Sequence, residues 1–414
     1  MRAARLLSVI LLALALAGCW GSRETDDLAY VLVVGFDKGP DRNVIVTFQI
    51  ANPIATAGTA TGSGGGGGGG QSNEPLITTS IVQRLPLAAF NLANVERSRE
   101  ISLLHTAAYV FSEELAREGI GQYLLPVNRF RETRGTALVL ICRGKARDFI
   151  EKHKPKLEAS PAKLYQHLIG LNRVHGLSVT TQYSKFYSQL KSGSVQPTAP
   201  LAAISEKAVT AGKPQPDRLG DYLAGNLPSN KGEAQFLGAA VFRGDKMVGA
   251  ITGDETRYLN MLTGNIVRSF IAVRDPKSDQ DALGITLRQA RKPVVKVRFT
   301  PERPVIDVEV FVEPDISGLG SGINYESVEL KPVLEKKLKD LFEQRCRQLV
   351  AKSQEEYRSD IFSFGHEAKK QFLTVKEWRD FNWSEAYPRA EVNVKVNVKV
   401  RRTGLMVKTS PVRD

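Results

Sequence analysis

The chain has 414 residues, 42% of them hydrophobic, which is material for about two or three domains with their own cores. Its 57 Lys and Arg against 44 Asp and Glu give a net charge of +13, a balance suited to anionic lipid or cell-wall polymers. No nucleic-acid recognition motif accompanies that charge, and nothing beyond the N-terminal region is long or apolar enough to span a bilayer, which argues against a nucleic-acid partner and a polytopic carrier.

Arg2 and Arg5 precede an apolar run over residues 6–17, too short for the roughly 20 residues of a membrane span but right for the core of a signal peptide. The run ends in Leu16-Ala17-Gly18-Cys19, small residues before a cysteine in the manner of a lipobox. Residues 1–18 are therefore expected to be a lipoprotein signal peptide. Cys19 would carry a diacylglyceryl group and an N-acyl chain, two apolar anchors that suffice for stable attachment. Cleavage would leave 396 residues with net charge +11 on the outer face of the cytoplasmic membrane. Cys142 and Cys346, the two remaining cysteines, follow a strand-like run and sit on a helix stripe respectively, and are expected to be buried free thiols.

After a polar lead, residues 28–36 and 44–51 predict two strands of a hairpin, with Val44, Val46, Phe48 and Ile50 on one face. The Thr/Gly-rich stretch 56–73 includes unbroken glycine from Gly64 to Gly70. It matches a dinucleotide loop in composition only and predicts a disordered excursion. Residues 79–94 predict an apolar helix and 103–111 a strand. A short helix over 113–118 has Ser112 as N-cap and Gly119 as terminator. A strand is predicted over 136–142, with helices over 146–152 and 161–172, so residues 19–193 make an N-terminal α/β domain. Residues 194–232 are rich in Pro, Gly, Ala and Asn and are expected to be a linker.

A hairpin over 235–252 and a helix over 254–263, capped by Asp254 and ended by Gly264, form a small middle domain, 233–282. The C-terminal domain, 283–414, opens with strands over 294–299 and 305–312. A long helix follows with a stripe of Leu334, Leu338, Leu341, Phe342, Cys346, Leu349 and Val350. It closes on a strand in which Val392, Val394, Val396, Val398 and Val400 alternate with Asn393, Lys395, Asn397, Lys399 and Arg401. The predicted fold class is α/β (α+β), in about three domains with mixed or antiparallel sheets flanked by helices.

Four ordered islands carry a resemblance. They are Gly18-Cys-Trp-Gly-Ser-Arg-Glu-Thr-Asp-Asp-Leu-Ala29 with Gly35-Phe-Asp37; Ser98-Arg99 and His105 with the 112–120 helix; Leu237-Gly-Ala-Ala-Val-Phe-Arg-Gly-Asp-Lys-Met-Val-Gly249 running into Gly253-Asp-Glu-Thr-Arg257; and Ser359-Asp-Ile-Phe-Ser-Phe-Gly365 with Trp378, Trp383 and the last strand. This set resembles the Ger(x)C family, the C-subunit lipoproteins of bacterial spore germinant receptors. Two features depart from it: Ser363 stands where the family often has Gly, and the Gly64–Gly70 tract is peculiar to this chain. The resemblance implies three α/β domains without a catalytic centre. It also implies action with a polytopic A subunit and a permease-like B subunit in the spore inner membrane to detect small nutrients and trigger germination.

The residues themselves give chemistry little foothold. The five histidines show no HExxH spacing and no Cys/His cluster, so no metal or other cofactor is expected, and no G-x-S-x-G elbow or P-loop is present. Adjacent Asp254 and Glu255 are a conceivable acid/base pair, but acids opening a helix also stabilise its dipole. His105 reads as a hydrogen-bonded residue beside a strand, Trp378 and Trp383 as packing anchors, and Lys395, Lys399, Arg401 and Arg402 as a solvated basic face. A solute-binding lipoprotein feeding a transporter is the alternative reading, although such proteins have two similar lobes and this chain shows no doubled pattern. A wall-directed hydrolase using Asp254 or Glu255 is a further rival.

Overall fold

The computed structural model describes residues 24–52, 75–153, 155, 157–158, 160–206, 220–402 and 409. Cys19 and the Gly64–Gly70 tract lie outside the described residues. Strands β1 (Leu28–Lys38) and β2 (Val44–Ala51) pair antiparallel as expected, with Val34 opposite Phe48. Residues 79–94 divide differently from the expected helix. Strand β3 (Leu76–Gln83) adds to β2, and helix α1 (Pro86–Ala93) starts only afterwards. The β-branched run Ile77, Thr78, Thr79, Ile81 and Val82 fits a pleated surface, and β2 offers an edge whose backbone groups need partners. Pro86 has no N–H to give and settles at the first turn of a helix.

The expected strand over 103–111 is likewise two pieces, β4 (Glu100–Ser102) and β5 (Ala108–Ser112), because a turn from the Thr106 amide to the Leu103 carbonyl interrupts it. Then follow α2 (Glu113–Glu118), α3 (Gly121–Val127), β6 (Leu138–Cys142), α4 (Ala146–Lys152), α5 (Pro161–His175) and α6 (Tyr183–Ser192). Ser112 caps α2 by accepting from the Leu115 amide, and Asp37 at the end of β1 caps α4 by accepting from the amides of Ala146 and Arg147 at 2.7 and 2.9 Å.

The stretch 194–232, expected as a linker, contributes strand β7 (Thr198–Ile204), inserted parallel to β6 and antiparallel to β8 (Ala234–Arg243). Its Pro, Ala and Leu residues are not a flexible composition. They are small side chains on a strand that is buried from Ala199 to Ala203. With β9 (Lys246–Ile251) the strands form one nine-stranded sheet in the order β3-β2-β1-β5-β6-β7-β8-β9, with β4 beside β1. The hairpin assigned to a middle unit thus belongs to the N-terminal sheet. Apolar cores lie on both faces of its centre: Leu140 packs into one and the adjacent Ile141 into the other.

Helix α7 (Gly253–Thr263) begins one residue early. Its N-cap is Thr252, not Asp254: the Thr252 hydroxyl accepts from the Glu255 amide and the Glu255 carboxylate accepts from the Thr252 amide, a capping box. Gly264 ends it with φ 75°.

The second sheet has five strands. β10 (Arg268–Asp275), β11 (Ser278–Phe299), β12 (Pro304–Val312) and β14 (Glu391–Val398) lie in that order, with β13 (Asp315–Leu319) beside β11. β11 is one 22-residue strand that bridges two hairpins, so it runs across the expected boundary at 282–283. Between β13 and β14 come α8 (Lys331–Glu355), α9 (Phe364–Lys369), α10 (Val375–Phe381) and α11 (Trp383–Ala386). The α8 stripe is buried as its spacing predicts, apart from the half-covered Leu341. A single core joins α7, α8 and one face of the second sheet.

Candidate functional site

Residues 357–365, just past α8, seam the two sheets together. The Tyr357 hydroxyl donates to the Ala250 carbonyl at 2.9 Å, and the Ser359 hydroxyl to the Phe242 carbonyl at 2.6 Å. The Gln196 amide donates to the Asp360 carbonyl. The buried Asp360 carboxylate accepts four hydrogen bonds: from the amides of Phe362, Phe364 and Gly365 at 3.1, 3.2 and 2.7 Å, and from the indole N–H of Trp383 at 2.9 Å. Burial pushes this carboxyl above the usual range, while the four donors pull against the shift. Gly365 is required here, because a Cβ would strike the Trp383 ring and the Ser194 carbonyl. Ser363 takes a left-handed φ of 69°. The Trp378 and Trp383 rings stack at 6.0 Å between centroids, so both are packing anchors, as their sequence context suggests.

Two clefts open beside the seam. One, of about 410 Å³, lies between α7 and α8 and holds Asp254 and Glu255. Both acids are already committed. Asp254 is ion-paired with Arg257 at 2.5 Å, and Glu255 with Lys352 at 2.7 Å in addition to its capping role. Burial alone would discourage the Lys352 ammonium, but Glu255 outweighs it and raises its pKa. Arg257 thus holds Asp254, while Lys352 and the Thr252 amide hold Glu255, so both acids serve the start of α7 and its contact with α8.

The other cleft, of about 300 Å³, lies between α5, α6 and β7 on one side and α7 and residues 361–363 on the other. Asn172, Arg173, Lys185, Gln189, Asn265 and Ser363 are among its walls. Sequence reasoning missed it. Its members come from six separate segments, and no spacing within any one of them signals a cavity.

The remaining candidates disperse. His105 is exposed and packs edge-on against Tyr30, with ring centroids 4.5 Å apart. Cys142 and Cys346 are free and buried in different cores, and burial pushes both thiols up, which makes them unreactive. On the expected basic face, Lys395, Lys399 and Arg401 reach Glu309, Glu335 and Glu313 at 3.5, 3.4 and 3.0 Å, which lowers its net charge. Among the described residues no helix is long and apolar enough to cross a membrane, and no group of three or more His, Cys, Asp or Glu is placed to hold a metal ion.

Two helix-flanked sheets joined by a buried polar seam define a mixed α/β protein. The family description "Spore germination protein N-terminal domain" matches residues 21–204, and "Spore germination B3/ GerAC like, C-terminal" matches residues 237–404. Spore germination protein KC of Bacillus subtilis is 26% identical over 410 residues, covering 97% of this chain and 96% of that protein. Spore germination protein YndF of the same organism is 24% identical, covering 96% and 95%, and spore germination protein GerQC of Bacillus cereus is 21% identical, covering 97% and 99%. The crystal structure of the GerBC protein shares the fold, with a TM-score of 0.52 at 16% identity over 89% of this chain and 96% of that one. The chain belongs to the Ger(x)C family of spore germination proteins.

Proposed function

We propose that this protein is a lipid-anchored, non-catalytic subunit of a spore nutrient germinant receptor, held on the outer face of the cytoplasmic (spore inner) membrane through Cys19 and acting beside a polytopic A subunit and a permease-like B subunit. The observation that carries the reading is the family match, which begins at residue 21, two positions past Cys19. Five peptide steps separate Cys19 from Glu24, the first described residue, and extended chain covers at most about 3.6 Å per residue. The folded body would then hang within roughly 20 Å of the bilayer, where confinement to a surface raises its effective concentration beside membrane-embedded partners. Signal would pass through docked faces and not through bond chemistry, which agrees with two acids, Asp254 and Glu255, already neutralised by partners.

Substituting Cys19→Ala tests this. Metabolic labelling with palmitate should vanish, the protein should leave the membrane fraction, and nutrient-triggered germination should fall while vegetative growth is unchanged. A variant that stays membrane-bound and germinates at the wild-type rate would refute the anchor. Deletion of the whole gene without any germination defect, in a strain lacking a second copy, would refute the receptor role.

A further inference from the structure

We infer that strand β3, the outer edge of the nine-stranded sheet, is the docking surface for a second copy of this chain, paired antiparallel about a two-fold axis at Thr79. The inference rests on the strand and its surroundings, and on neither the anchor nor the receptor reading.

A sheet edge presents a row of backbone N–H and C=O groups, and stable monomers cover it or guard it with charge. At the far end of the same sheet Tyr357 closes β9: its hydroxyl donates to the Ala250 carbonyl at 2.9 Å and its ring lies against Gly249. In the second sheet α8 covers β14, with Glu343 and Glu335 accepting from the Val396 and Val400 amides, and the end strand β10 carries the exposed Arg268 and Arg274. β3 has no such guard. It pairs with β2 on one side, and among the described residues nothing pairs with the other. Its eight residues, Leu76-Ile-Thr-Thr-Ser-Ile-Val-Gln83, include no charge, no proline and no glycine. Aliphatic side chains gather at the same margin: Val82, Leu85 and Val95 are 46%, 61% and 81% exposed, and Leu92 is exposed as well. At 100° per residue Leu85 and Leu92 share the side of α1 that turns away from Phe90, whose ring packs on Phe130 further into the sheet.

The strand's own sequence identifies the partner. Outward from Thr79 it is chemically the same in both directions: Thr78 and Ser80, then Ile77 and Ile81, then Leu76 and Val82. Antiparallel pairing of two copies about Thr79 sets hydroxyl against hydroxyl, isoleucine against isoleucine and leucine against valine. Each pair falls on one face of the joined sheet, because side chains alternate with a period of two. A two-fold axis perpendicular to the sheet requires this, since residue i of one copy meets j of the other and j meets i. Moving the axis one residue, to Ser80, sets Thr78 against Val82 and Thr79 against Ile81, and the match is lost. The pairing also closes on itself. It uses up the unguarded edge, and Tyr357 blocks the other end of the sheet, so assembly stops at two chains and does not run on as a fibre.

The test is sedimentation equilibrium of the full-length protein in density-matched detergent, joined to cysteine cross-linking. The wild-type protein should be a dimer at micromolar concentration. Val82→Lys puts an ammonium on the paired edge at a position already half exposed in the single chain. It should raise the dimer dissociation constant at least about tenfold with the far-UV circular dichroism unchanged. Directly opposed residues of an antiparallel pair have Cα atoms about 4.5–5.5 Å apart, inside the disulfide range, whereas diagonal neighbours stand about 7–8 Å apart, beyond it. Thr79→Cys should therefore give a covalent dimer on mild oxidation and Thr78→Cys should not, while any cross-link through the native cysteines appears in both variants alike. A wild-type protein that stays monomeric at about 100 µM overturns the interface. So does a dimer that Val82→Lys leaves unmoved, which would mark two chains sharing a micelle, and so does Thr78→Cys cross-linking as readily as Thr79→Cys. None of these results bears on Cys19 or the germination phenotype.

Discussion

The two sheets solve the burial problem differently. In the nine-stranded sheet the central strands β5 and β6 are buried at every residue, five of five in each, with a core on either face. In the five-stranded sheet β12 and β14 bury alternate residues: Val394 and Val396 face the core while Asn393 and Lys395 are exposed. Parallel strands covered on both faces are apolar almost throughout, Ser112 at the end of β5 being buried with its hydroxyl used as a helix cap, whereas a sheet with one wet face carries charge on that face. That wet face is stitched by cross-strand pairs, Arg298 with Asp307 at 2.8 Å and Lys395 with Glu309 at 3.5 Å. Its β14 edge is covered by α8. Glu343 accepts from the Val396 amide and Glu335 from the Val400 amide, so backbone groups that would invite another strand are occupied.

The sharpest way to break this contrast is to truncate neighbouring residues in each sheet. Leu140→Ala and Ile141→Ala point to opposite faces of β6, yet each should cost about 3 kcal/mol or more in urea unfolding, since both leave a cavity in a packed core. Lys395→Ala should stay within about 0.5 kcal/mol, because its ammonium is solvated and its ion pair exposed. If either β6 variant were as mild as Lys395→Ala, one face of the first sheet would be far looser than its burial implies.

The same difference decided what could be read in advance. Alternation along 392–400 and the helical stripe on α8 are visible because a wet face marks the period. Where both faces are dry, the period disappears. Ala199–Ala203 resembled linker for that reason, because small buried residues and loop residues share a composition, whereas residues 79–83 lie on a half-exposed end strand too short to set a clear two-residue period before the helix that follows. The division into sheets was hidden for a different reason. Pairing of β7 with β8, or of β12 with β14 across 391 − 305 = 86 positions, is a long-range choice with no local signature. At the sites, local motifs were legible and juxtapositions were not. Ser359 to Gly365 stood out as an island, but nothing in it revealed that Asp360 gathers four donors or that Asn172, Lys185 and Gln189 converge nearby.

The seam tests whether the two sheets stand or fall together. Asp360→Ala strips the acceptor from four buried donors and should cost about 3 kcal/mol. Trp378 and Trp383, two of the three tryptophans, sit beside it in the second region, so their fluorescence reports there while far-UV circular dichroism reports on the whole chain. With the seam weakened, the fluorescence transition should move to lower urea than the dichroism transition. Coincident transitions in the variant would show that the sheets remain one cooperative unit without this carboxylate.

The smallest expected effect lies three residues away. Ser363 holds φ 69° and ψ 26°, a left-handed conformation that costs an L-residue about 1–2 kcal/mol. Glycine adopts it freely but loses about 0.5–1 kcal/mol more in backbone entropy on folding. The difference leaves Ser363→Gly more stable by about 0.5–1 kcal/mol, a rise in melting temperature of a degree or two for a chain of this size. Ser363 also lines the cavity between the sheets. A gain would mean that the strain is an unrelieved local cost and that the seam tolerates the residue. A loss would mean that the Ser363 hydroxyl contributes more at the cavity wall than the backbone forfeits, and so that the contact between the sheets depends on this side chain.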